Sequence, residues 1–249
     1  MTAIFAHRGA KRVAPENTLP AFAAALEMGV DGIELDVHLS RDGRLVVIHD
    51  ETLDATTNGH GPVSALTAAE LAALDAGSHF DPAIAHVGVP TLDEGMDLVD
   101  DRCVVNIEVK TADPLGGAAV EPLLDFLRTR QLFDQVIVSS FNPVSLIRLR
   151  SLESRVRLGL LHFRPLPVDL STRFMSGLIG PDALHPFHAL VDDAYMIWAR
   201  AHGCPVNTWT VNDVEDARRL AGLGVATIMS DAPDEMMHSL RALRALEKE

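Results

Sequence analysis

Cations are scarce in this chain of 249 residues: 21 Lys and Arg stand against 35 Asp and Glu, a formal net charge of −14. That balance argues against a broad footprint for nucleic acid or an anionic membrane, both of which need clustered positive charge. Aromatics are thin too, with one Tyr and two Trp, which leaves little for base stacking. No apolar run is long enough to span a bilayer. The opening Met1-Thr2-Ala3-Ile4-Phe5-Ala6-His7 has neither the basic region nor the long apolar stretch of a secretory signal. Cysteine is limited to Cys103 and Cys204, both inside apolar runs, and both are expected as buried thiols at strand starts in a reducing compartment. The expectation is a cytoplasmic protein with no nucleic-acid partner and no stable membrane association. An anionic substrate would need local cations or a metal to hold it against the overall field.

Apolar material is ample, at 47% of the chain. Short β-rich runs recur at Ala3–His7, Gly32–His38, Cys103–Val109, Gln135–Ser139, Arg157–Leu161, Ala183–His185, Val206–Thr210 and Ala226–Met229. Each leads into an Ala/Leu-rich segment, with helix starts near Thr18, Thr91, Gly116, Pro143, Val168, Val191, Asn212 and Pro233. Asn17-Thr18 before Pro20 reads as a helix cap and Gly29 as its stop. Thr91-Leu92-Asp93-Glu94 reads as a capping box. Eight strands alternating with eight helices predict parallel βαβ units. A doubly wound sheet would alternate likewise, but His7-Arg8-Gly9-Ala10 is no dinucleotide loop. The length fits one (β/α)8 barrel of the TIM type, so the whole chain, 1–249, is expected as a single catalytic domain. Asp42-Gly43 marks a turn into the return run Leu45–His49. The stretch 51–90, with one short helix near Ala68 to Leu74, is too long for an ordinary loop and is expected as an insertion near the catalytic face.

A strand buried on both faces should be almost wholly apolar. Ile33, Leu35 and Val37 obey, but their alternates are Glu34, Asp36 and His38. Val105, Ile107 and Val109 obey, but Asn106, Glu108 and Lys110 share the other face. Three acids converging inside a barrel cost several kcal/mol each if uncompensated. A divalent cation with oxygen ligands, Mg2+ or Ca2+ rather than Zn2+, would resolve this. So would a buried network neutralised by Lys110 and Arg8. His7 and His49 end strands near these acids, where a pair could serve as acid and base. His185, before Pro186, is a weaker candidate for the site rim.

The ordered motifs His7-Arg8-Gly9, Pro15-Glu16-Asn17-Thr18, Gly32-Ile33-Glu34-Leu35-Asp36-Val37, His49-Asp50 and Asn106-Ile107-Glu108-Val109-Lys110 resemble those of the glycerophosphodiester phosphodiesterases. Ser140-Phe141, Trp209-Thr210-Val211-Asn212 and Ser230-Asp231-Ala232-Pro233 extend the likeness along the chain. The resemblance implies a TIM-type barrel that hydrolyses glycerophosphodiesters, small molecules, to glycerol 3-phosphate and an alcohol. It implies Glu34, Asp36 and Glu108 as ligands of one Mg2+ or Ca2+, and His7 and His49 as the acid–base pair. Arg8 and Lys110 would hold phosphate, Glu16 would orient Arg8 or a metal-side water, and Trp209 would wall the alcohol pocket. Ala55, His79, Ala226-Thr227 and Ser230 depart from common family residues, all on the substrate side. The nearest rival is a lysophospholipase D-type enzyme with the same site, which would need an exposed apolar rim or a basic membrane-facing patch, and the stretch 51–90 is too polar and acidic for one. A catalytically idle binding module is the other, but it would be expected to have lost one of these acids or histidines.

Overall fold

A computed structural model describes residues 1–84, 86–111, 113–163, 177 and 179–246. The strands are β1 (Ala3–His7), β2 (Gly32–Leu39), β3 (Leu45–Val47), β4 (Val104–Val109), β5 (Val136–Ser140), β6 (Arg157–His162), β7 (Ala183–Pro186), β8 (Asn207–Thr208) and β9 (Thr227–Ser230). Eight of them run parallel in the order β7-β6-β5-β4-β2-β1-β9-β8. Parallel bridges of Leu184 with Val206 and of Phe187 with Trp209 complete the circuit between β7 and β8. The result is the expected TIM-type barrel. β3 is the exception, an antiparallel return that pairs Val37 with Val47 and Leu39 with Leu45.

Local chemistry explains the frame. Helix α1 (Leu19–Met28) takes Pro20 in its first turn, where the missing N–H costs nothing. It stops at Gly29, left-handed at φ 73°, whose N–H returns to the carbonyls of Ala25 and Leu26. Its buried face of Ala21, Phe22 and Ala25 packs on the barrel. The helix Leu92–Val99 opens on the expected capping box: the Thr91 hydroxyl accepts from Glu94 N–H, and the Glu94 carboxylate accepts from Thr91 N–H. Outward strand residues Ile33, Leu35, Val105 and Ile107 are fully buried between sheet and helices. The stretch 51–90 carries short helices at Ala68–Ala72 and Gly77–Phe80. Leu53, Val63, Leu71 and Val89 pack there on Val46 and Ile48 as a separate small core.

Two expectations need adjustment, and one cannot be compared. The helix expected near Gly116 begins at Val120, because Gly116 and Gly117 both adopt positive φ. The helix start near Val168 lies outside the described residues. Cys103 and Cys204 are free but only partly buried, since each sits just before its strand rather than within it.

Candidate active site

β1, β2 and β4 are neighbours, and their register sets His7 opposite Glu34, Glu34 opposite Asn106, and Asp36 opposite Glu108. Alternation turns Glu34, Asp36 and Glu108 into the barrel, where they are 3%, 1% and 7% exposed. One oxygen from each lies within 4.8 Å of the others. Asp36 is heavily engaged. Lys110 Nζ stands 3.1 Å from its Oδ1, Arg8 Nε 3.3 Å from its Oδ2, and Asn17 Nδ2 donates to Oδ2 at 2.8 Å. Against burial, Lys110 and Arg8 hold this carboxyl well below the usual range. The other two behave oppositely. Burial, Asp36 and Glu108 push Glu34 well above its ordinary value, and burial with Asp36 pushes Glu108 up to about 7 even with Lys110 Nζ at 2.6 Å. Neutralisation by Lys110 and Arg8 therefore accounts for Asp36 and leaves the other two carboxyls short of positive charge. All-oxygen donors at this spacing fit one hard divalent cation.

Each histidine is oriented by a carboxylate. His7 Nδ1–H donates to Asp231 Oδ1 at 2.6 Å, and His49 Nδ1–H donates to Asp50 Oδ1 at 2.6 Å. Against burial, which raises it, His7, Lys11 and Asn212 Nδ2, which donates to Oδ2, hold Asp231 at about 2, an ionised acceptor. An ionised carboxylate can only accept, so the proton of a neutral ring stays on Nδ1. Nε2 of His7 is thereby left facing the cluster, 3.9 Å from Glu34 Oε2. Burial lowers both histidines from their ordinary value, which keeps a neutral ring available near neutral pH. His38, which strand alternation places on the inward face, donates Nε2–H to the His49 carbonyl at 3.0 Å and so fixes the chain there.

Arg8 is placed by backbone. It adopts φ 60°, unusual for a side-chain-bearing residue, and its N–H reaches the Glu34 carbonyl at 2.9 Å and Oε2 at 3.1 Å. Gly9 follows at φ 79°, where a Cβ would stand 2.8 Å from Ala21. The Arg8 guanidinium donates to Glu16 Oε1 at 2.7 Å, and Lys11 Nζ meets Glu16 Oε2 at 2.8 Å. Glu16 thus orients Arg8 and is outside the three-acid group.

A cleft of about 90 Å³ opens here. His7, Arg8, Glu34, His49, Glu108 and Lys110 line one side; Phe141, Leu161, Trp209 and Met229 line the other. Trp209 Nε1–H donates to the His185 carbonyl at 2.8 Å. His185 itself is not at the rim. It is fully buried inside the barrel, its ring against Gly159 and Nε2 paired with Asn207 Nδ2 at 3.0 Å. Gly159 has no side chain to fill that space, so the imidazole turns inward. Lys11 has no sequence signal, and Asn17 stands out from sequence only as a helix cap and motif member, not as a partner of Asp36; neither carries a strand-alternation signal. Asp231, named from sequence only within the Ser230-Asp231-Ala232-Pro233 motif, follows β9 directly.

The profile of the Glycerophosphoryl diester phosphodiesterase family matches residues 7–235. A glycerophosphodiester phosphodiesterase from Caldanaerobacter subterraneus is 38% identical over 243 residues, covering 96% of this chain and 98% of the relative. Another from Bacillus altitudinis is 37% identical over 94% of this chain and 96% of its own. Among solved structures, a glycerophosphodiester phosphodiesterase from Agrobacterium tumefaciens superposes with a TM-score of 0.82 at 32% identity, over 95% of this chain and 99% of that one. A phosphodiesterase from Oleispira antarctica in complex with the product sn-glycerol-3-phosphate superposes with a TM-score of 0.90 at 28% identity, over 97% of both chains.

Proposed function

The chain belongs to the glycerophosphoryl diester phosphodiesterase family, and from that premise we propose that Glu34, Asp36 and Glu108 hold one Mg2+ or Ca2+ while His7 and His49 act as acid and base. It is an enzyme of glycerophosphodiester hydrolysis, releasing glycerol 3-phosphate and an alcohol. The observation that carries the finer reading is the group of three buried carboxylates, oxygens within 4.8 Å, flanked by two carboxylate-oriented histidines. Bound there, the cation supplies Lewis-acid neutralisation of phosphate charge. The remaining work falls to side chains. Arg8, clamped by Glu16, and Lys110 bind the phosphate oxygens and keep doing so as negative charge grows. One histidine, neutral, takes the proton of the attacking hydroxyl on Nε2, and the other, starting protonated on both nitrogens, gives its Nε2 proton to the departing alkoxide. Asp231 and Asp50 hold the two rings in the tautomer this exchange needs. Trp209 walls the alcohol side.

Residues 1–249 are read as a single catalytic domain, with 51–90 an insertion that packs beside His49. Among the described residues no helix is long and apolar enough to cross a membrane, and the substrate is read as a small molecule. The decisive assay measures glycerol 3-phosphate released from glycerophosphocholine and glycerophosphoethanolamine, with and without EDTA. Activity should vanish in EDTA and fall by about 10²-fold or more in His7→Ala and His49→Ala. EDTA-resistant turnover, or either variant at wild-type rate, would sink the mechanism.

A further inference from the structure

The two walls of the cleft differ in what they can bind. Phe141, Phe163, Phe187 and Trp209 are each the first residue after a strand, following β5, β6, β7 and β8 in turn. Four successive strand ends therefore place an aromatic ring on one half of the barrel mouth. The rings touch: Phe141 meets Phe163 at 5.3 Å between centroids and Trp209 at 5.4 Å, and Trp209 meets Phe187 at 5.7 Å. The wall begins in the cleft with Phe141 and Trp209 and runs outward to Phe163, which is 59% exposed. In a chain with only two Trp and one Tyr, this concentration is marked.

Such a wall offers a polyol no hydrogen bond. Three of its rings are Phe, and the one indole N–H is already spent on the His185 carbonyl. Hydroxyl partners lie deeper in the lining instead, on β4 beside β5. There Asn106, 1% exposed, keeps a buried Oδ1 without a hydrogen-bond partner while its Nδ2 donates to Ser139 Oγ at 2.9 Å. The glycerol hydroxyls belong on that side, and the alcohol that leaves belongs against the rings. Phe141 stands nearly perpendicular to both of its neighbours, at 85° and 88°. Rings set that way form corners rather than a flat face, and a compact tetrahedral group fills a corner. Ring faces attract cations, and a chain of net charge −14 favours a substrate whose alcohol carries positive charge.

Resting on the phosphodiesterase reading above, we infer that Phe141, Phe163 and Trp209 form the subsite for a quaternary-ammonium alcohol, which makes choline esters of glycerol phosphate the preferred substrates. The test compares glycerophosphocholine with its 3,3-dimethylbutyl isostere, identical in shape but uncharged. Wild-type kcat/KM should favour the choline ester by about two- to fivefold, the scale of one cation–π contact on a partly exposed ring. The ratio should collapse toward one in Phe163→Leu, which stays apolar, and persist in Phe163→Trp. Equal rates for the two esters in the wild type, or a ratio untouched by Phe163→Leu, would overturn the subsite. Lysophosphatidylcholine carries the same head group. A preference for it over glycerophosphocholine that Phe163→Leu abolishes would put an acyl chain on the rings and also overturn the subsite. Tryptophan fluorescence in EDTA reads the same ratio as binding, without turnover. If the protein hydrolysed no diester, the reaction would be refuted, and tighter binding of the choline ester by fluorescence would still support the subsite while equal binding would overturn it.

Discussion

In EDTA, Glu108 should contribute less stability at pH 8 than at pH 5, because it is held at about 7 against its ordinary 4.5. The contribution is read as wild type minus Glu108→Gln, since buried His162 and His185, held at about 4 and about 3, act in the opposite direction over the same window. A carboxyl raised in the folded state keeps its proton there after the unfolded chain has released one. Its contribution is complete below 4.5, declines as pH rises, and is gone above about 7. Ionising this group at the higher value costs about 3 kcal/mol more than in the open chain. Glu34, raised by the same burial and neighbours, adds in the same direction. Part of the Glu108 contribution is already lost at pH 5, leaving about 2.5 kcal/mol between pH 5 and 8; a domain of this size loses roughly 2–4 °C of Tm per kcal/mol, so the fall is about 5–10 °C from Glu108 alone. A divalent cation inverts the balance, since ionised carboxylates become ligands at pH 8 whereas protons compete with the ion at pH 5. Calorimetric melting with EDTA, MgCl2 or CaCl2 at both pH values reads this directly. Mg2+ or Ca2+ should raise Tm at pH 8, far less at pH 5, and hardly at all in Glu34→Gln or Glu108→Gln. An equal gain at both pH values, or a full gain in either variant, would refute the reasoning.

Replacing Asp231 with Asn removes the ionised acceptor from His7; kcat should fall about 10- to 100-fold with KM little changed, and an unchanged kcat would remove Asp231 from the machinery. Arg8→Lys keeps the charge but loses the fork that reaches Glu16 and Asp36 together; KM should rise about tenfold, and a wild-type KM would count against phosphate binding by Arg8. His185 is held at about 3 by burial, against an ordinary 6.5. As pH falls from 6.5 toward 3 the unfolded chain takes a proton that the folded ring refuses, removing about 1.4 kcal/mol per pH unit. His185→Gln should flatten the urea midpoint against pH in that window, and an unchanged slope would show that another group governs acid unfolding.

Strand alternation carried most of the legible information. Glu34, Asp36 and Glu108 stood out because a parallel strand has no reason to alternate acid with Ile and Val, and the barrel turns all three inward. β1 matched its expected bounds and β2 extended the expected run by one residue, because apolar alternation ends where the side chains meet solvent. What stayed illegible depends on long-range meetings. Asp231 lies 224 residues from His7, and no local period records that distance. Lys11 and Asn17 sit in the loop after β1, whose path follows from the left-handed Arg8 and Asn17 rather than from propensity. His185 was misplaced because a strand end does not reveal whether a neighbour is Gly159, whose bare backbone gives the ring room inside.

The contact between His7 and Asp231 also bears on how the protein is made. Every proposed metal and phosphate group has been synthesised once residue 110 leaves the ribosome, yet β1 still lacks one edge until β9 pairs with it. The proton on His7 has no fixed seat before residue 231 arrives. A nascent or truncated chain would therefore hold the ligands without the catalyst, and hydrolytic competence would come only with the closing strand.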